Sequence, residues 1–155
     1  MEIYEPAEDS QLLAAAVKKY AYGSVLDMGT GNGIQAITAA KNKEIKSVVA
    51  VDANDEALKL AAAAATKEAN AVAAKIKFTK SDLFSGISAR ERFDTIIFNP
   101  PYLPQDKGIS DETIYGGKKG HETLQMFISS FRDYLKDDGI ILIVFSSRTN
   151  KQKVD

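Results

Sequence analysis

Five short apolar runs, separated by segments whose apolar residues recur at helical spacing, restrict this chain to few architectures. The runs lie at residues 24–28, 47–51, 75–80, 94–98 and 139–145. Between them, helices are expected over about 7–20, 34–43, 54–70 (with Asn54 as the cap) and 122–135. Residues 82–92 are too short and mixed for a clear helix. Strands that read as near-continuous apolar runs are buried on both faces, which argues a mostly parallel sheet with helices on each side. The fold class is therefore α/β, a Rossmann-like doubly wound sheet. Its crossovers should be right-handed, and a ligand should bind beyond the C-terminal ends of the strands.

At 155 residues the chain is long enough to bury a core. It contains no internal repeat or linker, so it reads as one domain over 1–155, with an N-terminal helical segment over 1–22 leading into it. The absence of cysteine excludes disulfides, thiolate zinc sites and cysteine nucleophiles. No metal site is expected. An acidic start without an apolar core of signal-peptide length, and no apolar run of membrane-spanning length, make the cytoplasm the default location. The net charge of -1, with lysines scattered in pairs such as Lys18-Lys19 and Lys118-Lys119, gives no footprint for duplex nucleic acid.

The residues with chemistry in them all fall after strands. The fourth strand ends at Phe98 and runs into Asn99-Pro100-Pro101-Tyr102. Two prolines without backbone donors stop the sheet and stiffen the segment. The Asn99 side-chain oxygen and the Pro100 carbonyl would suit the two hydrogens of a planar NH2 group, with the Tyr102 ring to stack on it. A plain strand-end turn is the competing reading. After the first strand comes Gly29-Thr30-Gly31-Asn32-Gly33, where backbone can approach a ligand closely. Ile34 occupies the place of the third glycine of the dinucleotide fingerprint, and no Gly-Lys-Ser/Thr follows, so NAD and ATP are both disfavoured. Asp27, beside the turn, would repel a pyrophosphate but could face an ammonium group. Asp52 suits a ribose diol. Asp82 could accept an adenine amine, with Leu83 or the Phe84 ring against the base. For Asp52 and Asp82 a simple turn-capping role stays open. An ammonium, a ribose and an adenine without phosphate describe S-adenosylmethionine. The single histidine, His121, reads as a loop or helix-start residue.

Val25-Leu26-Asp27-Met28-Gly29-Thr30-Gly31-Asn32-Gly33, Val51-Asp52, Ser81-Asp82-Leu83 and Asn99-Pro100-Pro101-Tyr102 resemble the successive motifs of class I S-adenosylmethionine-dependent methyltransferases. Tyr4-Glu5-Pro6-Ala7-Glu8-Asp9-Ser10 is similar to the start of the HemK-related release-factor glutamine methyltransferases, in particular their archaeal and eukaryotic branch. Gly116-Gly117-Lys118-Lys119-Gly120-His121-Glu122 resembles a Gly-rich segment of the same family. The resemblance implies methylation of the glutamine in the Gly-Gly-Gln loop of a translation release factor. It implies that Ser10, Asp27, Gly29, Gly31, Asp52, Asp82, Leu83 and Asn99 bind the cofactor, with Ser10 near its methionine end. Asp9, Asn99, Pro100, Pro101 and Tyr102 would bind the substrate amide, and Asn99, Pro100 and Tyr102 would act in catalysis. It also implies a small zinc-binding activator subunit as a partner. The C-terminal helix and strands that such proteins carry after the fifth strand are missing from the expected elements. A nucleic-acid amino-methyltransferase and an inactive cofactor-binding subunit are the alternatives.

Overall fold

The computed structural model describes residues 8–100 and 122–144. In chain order it contains α1 (Glu8–Tyr20), β1 (Gly23–Met28), α2 (Ile34–Ala40), β2 (Ile45–Asp52), α3 (Asp55–Thr66), α4 (Asn70–Ala73), β3 (Ile76–Lys80), β4 (Phe93–Phe98), α5 (Glu122–Ser130), a 3-10 turn (Phe131–Tyr134) and β5 (Leu135–Ile143). The strands form one sheet of order β3-β2-β1-β4-β5, and every pairing is parallel. Among the described residues no antiparallel strand follows β5, which forms one edge.

Side chains alternate across the strands and build a core on each face. Val25, Val48, Ala50 and Ile97 pack with Leu13 and Val17 of α1 and Ala36, Ala39 and Ala40 of α2. On the other face Leu26, Met28, Val51, Ile96 and Phe98 pack with Leu124 and Phe127 of α5, together with Phe84 and Ile87 from the turns between β3 and β4. Those turns cover apolar surface that a longer connection would cover with a helix.

Three expected boundaries move, each for a local reason. The Ala-rich helix stops at Thr66 instead of continuing to Asn70. The Lys67 and Glu68 N–H groups turn back to the Ala64 and Ala65 carbonyls, and α4 restarts separately. The helix expected to reach Lys43 ends at Ala40 because Asn42 makes an Asx turn, accepting the Glu44 N–H at 2.9 Å while its own carbonyl takes the Ile45 N–H. Leu135, read as the end of the last helix, instead begins β5 opposite Phe93, with a register shift before Ile140 joins Thr95. Apolar spacing cannot separate those two states for a single residue at a boundary. Phe145 lies outside the described residues.

Gly33, the last residue before α2, has φ +87°, and a Cβ there would lie 2.9 Å from the Ala61 Cβ of α3. Glycine lets the two helices touch at this point. Gly33→Ala is expected to lower stability by about 1–3 kcal/mol, through strained backbone and overpacking together. Urea unfolding checks this. An unchanged midpoint would show that α3 moves aside freely.

Candidate active site

Parallel register sets the strand ends level. Met28 pairs with both Val51 and Phe98, and Asp52 pairs with Lys80. The segments leaving β1, β2, β3 and β4 therefore emerge side by side on one edge of the sheet. β1 and β4 are neighbours at the point where the winding reverses, which is where an open α/β sheet leaves a crevice.

The turn after β1 is held open by backbone that only glycine adopts cheaply. Gly29, Gly31 and Gly33 have φ values of +69°, +56° and +87°. Thr30 donates its N–H to the Val51 carbonyl at 2.8 Å, pinning the turn over β2. Gly31 donates to one Asp52 carboxylate oxygen and Asn54 to the other, both at 2.9 Å. Each Asp52 oxygen thus orders a loop and retains a second lone pair. A Cβ built on Gly31 would meet no atom of the described residues within 4 Å, so the space they leave beside the turn is open.

Asp27 sits beneath this turn and is 1% exposed. Burial pushes its carboxyl up to about 7, and the Asp52 charge adds to the rise; the Thr30 hydroxyl, which donates at 2.7 Å, and the Ala36 N–H act the other way. With no cation against it among the described residues, this buried carboxyl holds its proton near neutrality. An arriving cation would favour the ionised form.

After β3 the chain folds around Ser81, whose hydroxyl donates to the Leu83 carbonyl and accepts the Gly86 N–H at 2.8 Å. This holds Leu83 at φ +52°, a left-handed conformation that is strained for a leucine. Asp82 is exposed, and its N–H is taken by the Ser85 hydroxyl at 3.1 Å. The Phe84 ring is not available to a base: it is buried and stacked on Tyr134, with centroids 4.5 Å apart, and on Phe127. Its apolar character is spent in the core, which leaves Leu83 as the apolar surface at this corner. Leu83→Gly is expected to change stability by less than about 1 kcal/mol, since relief of strain offsets lost contacts. It should weaken cofactor binding roughly tenfold, measured by calorimetry, if Leu83 supports the base.

At the end of β4, Phe98 is anchored against Phe127 with ring centroids 4.3 Å apart, which fixes where Asn99 begins. Asn99 donates through Nδ2 to the Ser10 hydroxyl at 3.1 Å. Its Oδ1 is buried and has no hydrogen-bond partner among the described residues. Pro100 is buried beside it, and Asp9 sits half-buried next to Ser10 in the first turn of α1. The structure thus gathers Ser10, Asp27, Gly29, Gly31, Asp52, Asp82, Leu83, Asn99 and Pro100 at one edge. Pro101, Tyr102, the Gly-rich segment from Gly116 to His121, and the N-terminal motif before Glu8 lie outside the described residues. Gln35, Thr30 and Ser81 are buried polar residues; Thr30 and Ser81 stand inside the motifs without an assigned role, and Gln35 was not singled out. The one available signal was Gln35, a polar residue on the otherwise small, apolar face of a short helix.

Against known proteins, the chain matches the methyltransferase small domain over residues 6–154. The chain belongs to the methyltransferase small domain family. A Methanocaldococcus jannaschii protein provisionally named as a protein N5-glutamine methyltransferase is 40% identical over 157 residues, covering 98% of this chain and 76% of its own length. The release factor glutamine methyltransferase of Koribacter versatilis is 33% identical over 129 residues, but these are 77% of this chain and 45% of that protein. The chain thus spans three quarters of the first relative and about half of the second. Among solved structures, a glycopeptide N-methyltransferase complexed with S-adenosylmethionine superposes with a TM-score of 0.61 at 17% identity, over 93% of this chain and 53% of that one. The shared fold is that of class I Rossmann-like methyltransferases, and this methyltransferase family uses S-adenosylmethionine as its cofactor. The residues at the strand ends fit that molecule: open space beside Gly31, lone pairs on Asp52, and a buried carboxyl at Asp27 with no cation against it among the described residues. Among the described residues no helix is long and apolar enough to cross a membrane.

Proposed function

We propose that this chain methylates the side-chain amide of a glutamine, in the Gly-Gly-Gln loop of a translation release factor, to give N5-methylglutamine. The observation that carries this reading is the buried Oδ1 of Asn99 at the end of β4, which has no hydrogen-bond partner among the described residues. An orphaned acceptor in a crevice costs free energy unless a donor arrives, and an amide NH2 is a donor of the right kind. The names of the relatives support the same class of substrate.

Asp27 faces the cofactor's ammonium group, Asp52 its ribose hydroxyls, and Asp82 and Leu83 its adenine. Asn99 Oδ1 and the Pro100 carbonyl each accept one hydrogen of the substrate amide. An amide nitrogen is a poor nucleophile because its lone pair is delocalised into its carbonyl. Hydrogen bonds that strengthen as positive charge develops on that nitrogen stabilise the transition state more than the ground state. When bound, S-adenosylmethionine supplies a sulfonium methyl group: the N–C bond forms as the C–S bond breaks, its electron pair goes to sulfur, and the nitrogen loses a proton to solvent. Displacement at such a centre needs mainly alignment, for which effective molarities supply on the order of 7 kcal/mol or more. The stiff segment after Phe98 provides it. Tyr102 and Pro101 complete the substrate side in this reading.

The domain extends over the whole chain, 1–155, and works in the cytoplasm, where termination occurs. A small zinc-binding activator is the proposed partner, on the strength of the family resemblance alone.

The test is transfer of a tritiated methyl group to a purified release factor, beside a version whose loop glutamine is alanine and a duplex DNA control. Incorporation that disappears with the glutamine is expected. Label in DNA alone would overturn the reading.

A further inference from the structure

Besides Asn99, one more side chain buries an oxygen that has no hydrogen-bond partner among the described residues: Gln35, through Oε1. Gln35 lies near the start of α2 and is 4% exposed. Its Nε2 donates to the backbone carbonyl of Ser10 at 2.9 Å. A backbone carbonyl can only accept, so this bond fixes which way round the amide stands: Nε2 faces Ser10, and Oε1 points away from it as an acceptor. An oxygen left buried and unpaired costs free energy that an arriving donor recovers.

The surroundings narrow the kind of donor. The next residue in the chain, Ala36, gives its N–H to the Asp27 carboxyl. On its other side, Ser10 holds Asn99 through a side-chain hydrogen bond of 3.1 Å. Asp27 pairs in the sheet with Ile97, two residues before Asn99. Gln35 is thus tied to a neighbour of Asp27 on one side and a neighbour of Asn99 on the other, at the ends of β1 and β4 where the crevice opens. Among the described residues no lysine, arginine or histidine is bonded to any of the three. A site of oxygen acceptors without a cation suits a positively charged group with several N–H donors, and repels a carboxylate. We infer that Gln35 Oε1 is a ligand of the cofactor's ammonium group, which it shares with Asp27. The inference rests on the placement of that group at Asp27 proposed above, and it holds whichever macromolecule is methylated. An ammonium brings three hydrogens, so a second acceptor beside the carboxyl has a donor to take. The bond to Ser10 keeps Gln35 from turning its own donors toward the cation.

The test is calorimetric and needs no turnover. Wild type and Gln35→Met, which keeps the length but loses the acceptor, are titrated with S-adenosylhomocysteine and with its analogue in which hydrogen replaces the amino group. Gln35→Met is expected to weaken S-adenosylhomocysteine roughly 10-fold to 100-fold, the size of one hydrogen bond to a charged group. Its Kd for the deaminated analogue should stay within about twofold of the wild type, because the two changes remove the same contact. Equal weakening of both ligands, the mark of a merely structural role for Gln35, overturns the inference. So does an unchanged preference for S-adenosylhomocysteine in Gln35→Met, which leaves Asp27 in place, whereas wild-type protein that binds the two ligands alike takes the ammonium group away from both residues. A second measurement uses the wild type alone. The side-chain carbonyl 13C signal of Gln35 should move on binding S-adenosylhomocysteine and stay near its free position with the deaminated analogue; the same position with both ligands overturns the contact.

Discussion

Asn99→Ala is expected to lower kcat for methyl transfer by about 100-fold to 1,000-fold, the range seen when one preorganised group aimed at developing charge is removed. Cofactor affinity should change little, because the contacts proposed for the ammonium, ribose and adenine lie at Asp27, Asp52 and the 82–83 corner. The physical argument is that Oδ1 is buried and has no partner among the described residues. Its desolvation is already part of the folded state, so it binds a donor without further reorganisation at the moment of reaction. For the same reason the variant should unfold no more easily than the parent: it removes an unsatisfied acceptor together with the bond to Ser10. Single-turnover rates and calorimetric cofactor titrations separate the two effects. Near-normal turnover would remove Asn99 from the chemistry altogether.

The second large effect is pH-dependent and arises at Asp27. Its pKa is raised from 3.8 to about 7, chiefly by burial. The folded protein therefore holds a proton that the unfolded chain has lost between those values, and stability without cofactor should fall as pH rises from about 4 to about 7. At about 1.4 kcal/mol per unit, the full contribution is on the order of 4 kcal/mol. Cofactor binding runs the other way. If Asp27 faces the ammonium group, the ionised form binds, so Kd should weaken about tenfold for each pH unit below 7 and level off above it. Asp27→Asn should flatten both profiles and bind cofactor weakly at every pH. Thermal melts and cofactor titrations at pH 5.5, 6.5 and 7.5 check this. A cofactor Kd independent of pH would take Asp27 out of the ammonium site.

These two residues differ in how much of their role could be read in advance. Asn99 stood out because a run of apolar residues stops at two prolines. Covalent geometry makes that statement true in any fold, and the apolar runs themselves, buried on both faces, dictated a parallel sheet. The spacing of Gly29, Gly31 and Gly33 argued equally directly against a dinucleotide, since it depends only on which positions lack a Cβ. Asp27 was legible as a carboxylate near a glycine turn. Its near-neutral titration was not, because that comes from burial beneath α2 and from the Asp52 charge, both products of tertiary packing.

The same division holds for the finer features. Helix ends at Thr66 and Ala40 depended on side-chain and backbone turns a few residues long, and Leu135 changed from helix to strand because β4 offered it a pairing partner. Phe84 could not be distinguished from Leu83 as the wall of a base pocket until Tyr134 and Phe127 were seen to hold its ring in the core. Gln35, Ser10 and Asn99 lie far apart along the chain, at spacings to which no local periodicity applies. What the sequence determined by itself was therefore whatever follows from local chemistry: the order of strands and helices, the stiff strand end, the open glycine turn and the set of carboxylates. Only the tertiary structure decided that the side-chain oxygen of Asn99 is buried without a partner among the described residues and which carboxyl is cut off from water. Both are consequences of long-range contacts that cost chain entropy to form and leave no pattern in neighbouring residues.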